Sequence, residues 1–332
     1  MKAARLHATE DIRVAEEADP TPAEDESLVR VGAVGLCGSD LHWFSEGGIG
    51  DARIERPGIP GHEMGGVAVD GPYAGQVVAI DPALPCRACE RCLEGNVNLC
   101  PNVKFSGQGA TEGGMSELMT WPTHALFPLP EGMTVEDAAL LEPLGVAIHA
   151  WDLGHVRLGA RVAVVAAGPI GLFLVQLAAH GLTTRVSVVE PLEHRRRAAL
   201  SMGADDAVDP AELKSLGLFD VVFEASGSPE AVTEAMQLAR PGGRVVLAGI
   251  PDEDVTSFPA GNARRKGLTI AIVRRMKEVY PRAIALAQRG LVDLPAMVTH
   301  RFPLDQVDEA FRFAATREGL KVVVRPDGST AG

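Results

Sequence analysis

Two kinds of hydrophobic patterning divide the chain. Up to about residue 135 the apolar positions come in short, interrupted runs. Ser27-Leu-Val-Arg-Val-Gly-Ala-Val-Gly35 alternates at period two through Leu28, Arg30 and the valines and breaks at glycines, the pattern of a half-buried strand. Val67-Ala-Val69 and Val77–Ile80 read as two more strands. Phe44 to Pro60, with Gly47, Gly48, Gly50 and prolines 57 and 60, reads as a loop over a site. From Val135 the period becomes helical, over Val135–Glu142 and again over Leu144–Leu153. Beyond it, apolar runs at Arg161–Ala166, Arg185–Glu190, Phe219–Glu224, Arg244–Gly249 and Leu268–Val273 alternate with helical segments at Gly168–His180, Glu193–Met202 and Ala231–Ala239. Strands that are apolar throughout need helices on both faces, so this half predicts a parallel, doubly wound sheet. The tail reads as helix Tyr280–Arg289, strand Val298–Phe302, helix Val307–Ala315 and strand Lys321–Arg325, returning to the first domain.

Length and composition narrow the class. With 332 residues and 46% hydrophobic content the chain can fill two cores. Its net charge of −13, from 31 basic and 44 acidic residues, disfavours nucleic acid and anionic membranes as partners and suits a small-molecule substrate. The start, Met1 to Val14, carries charge at Lys2, Arg5, Glu10, Asp11 and Arg13 and has no apolar secretory core. No run approaches the ~18 apolar residues of a membrane span. A soluble cytoplasmic protein is the expectation.

Cysteine placement changes the picture most. Four of the five cysteines, Cys86, Cys89, Cys92 and Cys100, are separated by two, two and seven residues, a spacing that lets four thiolates enclose one tetrahedral metal as a structural zinc. The fifth, Cys37, opens Cys37-Gly-Ser-Asp-Leu-His42, and Gly61-His62-Glu63 follows at a distance too wide for a local finger. A thiolate and an imidazole so separated can converge on a catalytic zinc with an open position.

A second site begins where the first strand of the α/β half ends, at Ala166-Ala-Gly168-Pro169-Ile170-Gly171, with Glu190 closing the next strand. Such a turn lets the backbone approach a pyrophosphate seated on a helix N-terminus. Alanine at 166, where the first glycine of the pattern belongs, restricts the turn. A carboxylate at 190 can accept from both ribose hydroxyls and repel a 2′-phosphate, favouring NAD. Arg195, within Arg195-Arg-Arg197, would accommodate that phosphate if it reached the ribose.

Together these residues resemble the zinc-dependent medium-chain dehydrogenases, in particular the sorbitol, xylitol and idonate dehydrogenase branch. The resemblance covers nearly the whole chain and rests on the Cys37 and His62 motifs, the four cysteines, Glu142-Pro143-Leu144 and the Gly-Pro-Ile-Gly turn. It implies an α/β protein with a GroES-like, β-rich catalytic domain (residues 1–140 and 275–332) around a Rossmann NAD-binding domain (141–274). It implies two zincs per chain: a structural one on Cys86, Cys89, Cys92 and Cys100, and a catalytic one on Cys37 and His62. Glu63 and Glu142 both compete to complete the catalytic set. Ser39 and His42 match a proton relay, and Arg275 matches an arginine directed at substrate hydroxyls. Trp43 and Phe44 are expected to line the pocket. Where the family usually carries Gly-Asp-Arg-Val, this chain has Gly75-Gln-Val-Val78, read as a trimmed surface turn.

The expected function is hydride transfer from a secondary alcohol of a polyol or sugar acid to NAD. Arg274 and Arg275 together would suit a carboxylate. A threonine-type amino-alcohol dehydrogenase and a non-catalytic nucleotide binder with structural zinc only are the alternatives. A homodimer or homotetramer is expected by analogy alone.

Overall fold

In a computed structural model, residues 1–328 are described. They form two compact units. One takes Met1–Glu142, Tyr280–Gln288 and the chain from Leu294 onward; the other takes Pro143–Val279 and Arg289–Asp293. The short return of 289–293 is tied down by Gln176, which accepts from the Asp293 N–H at 2.6 Å.

The first unit is built on a mixed sheet ordered Leu126–Pro128, Val77–Ile80, Glu63–Ala68, Glu26–Gly35, Lys321–Arg325, Val298–Pro303, with Leu118–Pro122 also pairing to Glu26–Gly35. Three of these strands meet at one end. Gly35 pairs with Glu63 on one side and with Val323 on the other, both antiparallel. The residues just past Gly35, those at the start of Glu63–Ala68 and those at the start of Lys321–Arg325 are therefore neighbours. Gly35 itself has to lack a side chain, because a Cβ there would lie 2.2 Å from Glu63 Oε2. A core of Val29, Val31, Val34, Met64, Ile80 and Phe311 backs this end of the sheet. The start of the long helix Val135–Gly154 is anchored by Glu136, whose carboxylate accepts from Arg301 at 2.7 and 2.8 Å and from Arg325 at 2.9 Å. Burial works to raise the Glu136 pKa, but the two guanidiniums outweigh it and hold the carboxyl below its usual range.

That helix runs unbroken through Pro143, where two separate helical segments were expected. Proline removes one intrahelical bond and crowds the preceding turn, at a cost of ~3 kcal/mol. Leu140, Leu141, Leu144 and Ile148, each no more than 1% exposed, flank it. At ~1.5–3 kcal/mol per buried side chain their packing outweighs the proline.

The second unit is a six-stranded parallel sheet ordered Asp206–Val208, Arg185–Val189, Arg161–Val165, Phe219–Glu224, Ala239–Leu247, Thr269–Ile272. Sequence order reverses between Arg161–Val165 and Phe219–Glu224, the topological switch point at which doubly wound sheets bind ligands. The helix Pro169–His180 follows the central strand and is buried along Leu172, Phe173, Leu174 and Val175. Among the described residues no helix is long and apolar enough to cross a membrane.

Candidate active site and nucleotide turn

Cys37, His62 and Glu63 converge at the strand ends described above, with one ligand atom from each lying within 4.8 Å of the others. Cys37 is the N-cap of a helix, Gly38–Glu46, that occupies the start of what the sequence reads as a loop. Asp40, in the first turn, fixes both sides of the cluster. One of its oxygens accepts from the Cys37 N–H at 2.9 Å, and the other lies 3.4 Å from His62 Nδ1. A carboxylate on Nδ1 sets the ring's orientation and leaves Nε2 for a metal. Burial lowers the His62 pKa, but Asp40 and then Cys37 reverse this and raise it well above its ordinary value.

Glu63 does not stand alone. Lys321 Nζ, buried, donates to Glu63 Oε1 at 2.8 Å and Oε2 at 2.6 Å, and to the Leu36 carbonyl at 2.9 Å. All three ammonium protons are thereby satisfied. Burial opposes the charge on Lys321, yet Glu63 and Cys37 keep its pKa raised. Glu142 is buried nearby but outside the 4.8 Å set. Burial, with Glu63 and Asp81 adding to it and His62 and Lys321 opposing, pushes its pKa up to about 7. A thiolate, an imidazole and a carboxylate fit a three-ligand zinc that keeps a fourth position for substrate.

On the same helix Ser39 is buried, while His42 is partly exposed and shares its Nδ1 with Glu46 Oε1 at 2.9 Å. Ser39 and His42 are three residues apart and so share a helix face. Trp43 borders a cleft with Leu6, Ile54, Ile59 and Thr111, and its Nε1 has no hydrogen-bond partner among the described residues. Phe44, expected beside it in the pocket, instead packs in the core against Phe311 at a centroid distance of 5.0 Å. Arg275 belongs to the second unit and holds a left-handed φ of 53°.

The four remaining cysteines form a second cluster, and among the described residues no cysteine is in a disulfide. Backbone N–H groups of Ala88 and Cys89 pull the Cys86 pKa down to about 6, while burial and the neighbouring sulfurs push that of Cys92 up to about 12. Four thiolates so close together need a cation between them, and a closed tetrahedral zinc meets that need.

In the second unit Ala166 adopts φ 74°, the left-handed conformation that glycine would adopt freely. The turn is closed tightly: a Cβ on Gly171 would lie 2.0 Å from the Ala166 carbonyl oxygen, so only glycine fits there. Gly168 caps the helix with Pro169 and Ile170 as its first residues, leaving the first N–H groups of the helix for an anion. Ala166→Gly is expected to stabilise the fold. Relief of the left-handed alanine is worth ~1–2 kcal/mol, partly offset by ~0.5–1 kcal/mol of added chain entropy in the unfolded state. Calorimetry should record a melting temperature about 2 °C higher; a lower one would show that alanine is not strained here.

Glu190 is buried, and its oxygens accept from the Ala167 N–H at 2.7 Å and the Leu192 N–H at 2.9 Å. It holds the turn as well as facing it, with one lone pair per oxygen already engaged. The three arginines differ. Arg196 binds the carbonyls of Glu190 and Pro191, each at 2.7 Å, and Arg197 pairs with Glu193 at 2.6 Å. Arg195 lies over the turn, where a Cβ on Gly168 would be 3.9 Å from its Nη1.

Sequence reasoning did not single out Asp40 or Lys321. Asp40 would have stood out as an N-terminal acid only if the helix Gly38–Glu46 had been foreseen; Lys321 carried no local signal, since a lysine opening an apolar strand ordinarily faces solvent.

Comparison with known proteins gives a consistent picture. Residues 23–131 match the alcohol dehydrogenase GroES-like domain, and residues 169–289 match the zinc-binding dehydrogenase family. A sorbitol dehydrogenase of Bacillus subtilis is 34% identical, over 98% of this chain and 98% of its own. Among solved structures, L-idonate 5-dehydrogenase of Escherichia coli superposes with a TM-score of 0.90 at 27% identity, over 98% of this chain and 97% of that one. A protein of Sinorhizobium meliloti described as a zinc-binding dehydrogenase, solved with NADP bound, gives 0.90 at 29% identity, over 98% and 99%.

Proposed function

This chain belongs to the zinc-binding dehydrogenase family, and from that premise we propose that it moves hydride from a secondary alcohol of a polyol or sugar acid to a nicotinamide dinucleotide. The observation that carries the reading is the convergence of Cys37, His62 and Glu63 at one end of the catalytic sheet. When bound there, zinc would supply Lewis acidity toward a substrate hydroxyl and the dinucleotide would serve as hydride acceptor.

The chain's own residues do the rest. Cys37, His62 and Glu63 hold the catalytic metal, Asp40 orients His62, and Lys321 fixes Glu63 and offsets its charge. Glu142, buried beside them and with its pKa near 7, serves the substrate side as a hydrogen-bonding group. Ser39, at the buried end of the helix, takes the hydroxyl proton as it gives up its own toward His42, which, with Glu46 on its Nδ1, passes a proton on to solvent. Cys86, Cys89, Cys92 and Cys100 hold a structural zinc. The Gly168–Gly171 turn receives the pyrophosphate and Glu190 a ribose hydroxyl, which favours NAD. The position of Arg195 over that turn supports acceptance of NADP as a second reading. Trp43 is assigned to the substrate. The protein works in a reducing, cytoplasmic compartment as a homodimer or homotetramer.

The test is zinc per chain by elemental analysis, paired with NAD and NADP reduction over sorbitol, xylitol, idonate, gluconate and threonine. Two zincs and turnover of a polyol or aldonate are expected. Preferential turnover of threonine would move the enzyme to the amino-alcohol class, and one zinc without turnover would reduce it to a nucleotide binder.

A further inference from the structure

A second acid brackets the dinucleotide turn. Glu224 ends the strand Phe219–Glu224 and is 0% exposed. Its backbone pairs with Val165, the last residue of the strand that feeds the turn; on the other side Val165 pairs with Val189, the residue before Glu190. Glu190 and Glu224 thus flank the turn at the carboxyl edge of the sheet, one in each mononucleotide-binding half.

Glu224 organises its half by hydrogen bonding. Its Oε1 accepts from the N–H groups of Ser226 and Gly227, both at 2.6 Å, and the N–H of Gly249 is also directed at the carboxylate. The loop after Glu224 is therefore tied to the carboxylate, and the loop after Leu247 reaches the same residue through the Ala248 N–H, which donates to the Glu224 carbonyl at 2.8 Å. They also touch backbone to backbone. A Cβ on Gly227 would lie 2.3 Å from the Ile250 carbonyl oxygen, and a Cβ on Gly249 would lie 1.9 Å from the Gly227 nitrogen. No side chain separates the loops, so the position the carboxylate gives to 226 and 227 is passed directly to 248–250. Its other oxygen, Oε2, is buried with no hydrogen-bond partner among the described residues. The hydrogen bonds its side chain does accept all come from the loop 225–227, which makes holding that loop its role.

A dinucleotide lies across both halves at the switch point, with its pyrophosphate on the first turn. The half that begins at Phe219–Glu224 then receives the second mononucleotide. We infer that Glu224 is a positioning residue for the nicotinamide half of the cofactor, holding loops 225–227 and 248–250 as the wall on which that half rests. This inference rests on the dinucleotide reading of the unit.

The test separates the two halves of the ligand. NADH and NADPH are titrated by fluorescence and ADP by calorimetry against the full-length wild type, Glu224→Ala, Glu224→Gln and Gly249→Ala. Glu224→Ala should weaken the reduced dinucleotide by at least about tenfold and leave ADP within about twofold of the wild type. Glu224→Gln keeps an accepting oxygen and should stay within about threefold for both. Parallel loss of ADP and dinucleotide affinity would mean a merely structural role, and an unchanged dinucleotide affinity in folded Glu224→Ala would also overturn the inference. If Glu224→Ala does not fold, Gly249→Ala forces the loops apart with the acid in place. The same selective loss is expected from it, and its absence overturns the inference. Wild-type protein that binds ADP but neither dinucleotide would overturn the dinucleotide reading itself.

Discussion

Cys37→Ser is expected to lower kcat/KM by at least about a thousandfold, since the metal's share of transition-state stabilisation is several kcal/mol, and to remove one of the chain's two proposed zincs. Serine is close in size to cysteine, and the backbone at residue 37 is held by Asp40 through the N–H at 2.9 Å, so the helix Gly38–Glu46 should survive the change. What is lost is the thiolate. A serine hydroxyl keeps its proton near neutral pH and makes a poor zinc ligand, whereas the four-cysteine cluster remains complete. Elemental analysis together with steady-state kinetics checks this. Near wild-type turnover, or an unchanged zinc content, would remove Cys37 from the metal site and with it the proposed chemistry.

Lys321→Met carries the second large effect. It strips the Glu63 carboxylate of a partner within 2.6 Å on a pair whose side chains are each 1% exposed. In protein whose catalytic site is kept free of zinc, leaving one charge of such a pair unpaired costs ~3–5 kcal/mol, a fall of roughly 10 °C in melting temperature for a domain of this size. Coulomb attraction alone does not decide the outcome, because both charges were desolvated on folding. The asymmetry does: the single variant keeps the desolvation of Glu63 and loses its compensation. Adding Glu63→Gln to Lys321→Met should therefore recover more than half of the lost melting temperature, although turnover stays low. Thermal melts of the two single variants and the double one close the cycle. Additive losses would show that the two side chains stabilise independently, contrary to the 2.6 Å contact.

The alternation of apolar strands with helices in the second unit was legible because each element carries its own period, and the strand ends Val165, Val189 and Glu224 fall where the apolar runs stop. The four cysteines were legible because their ligand spacing is local. The helix Gly38–Glu46 was hidden because Gly38 and Ser39 are weak helix formers. Its stop at Gly47, with φ 73°, looked like the opening of a loop. Pro143 suggested a break that tertiary packing overrode. The pairing of Glu63 with Lys321 lay beyond local reading altogether. It follows from the register of Gly35 against two strands distant in sequence, and no periodicity encodes register between distant strands.

That register has a consequence for how the protein is made. Lys321 meets Glu63 across 258 residues and the Leu36 carbonyl across 285. During synthesis from the N-terminus, the strand bearing Glu63 emerges long before its counter-charge does. Until then the carboxylate must stay hydrated, so this end of the sheet cannot dehydrate and close early. The second unit, whose strands come from a contiguous stretch, can fold while the ribosome is still at work. The strand Lys321–Arg325 then acts as the closing step for this end of the sheet: its arrival supplies the counter-charge to Glu63 and extends the sheet in a single event.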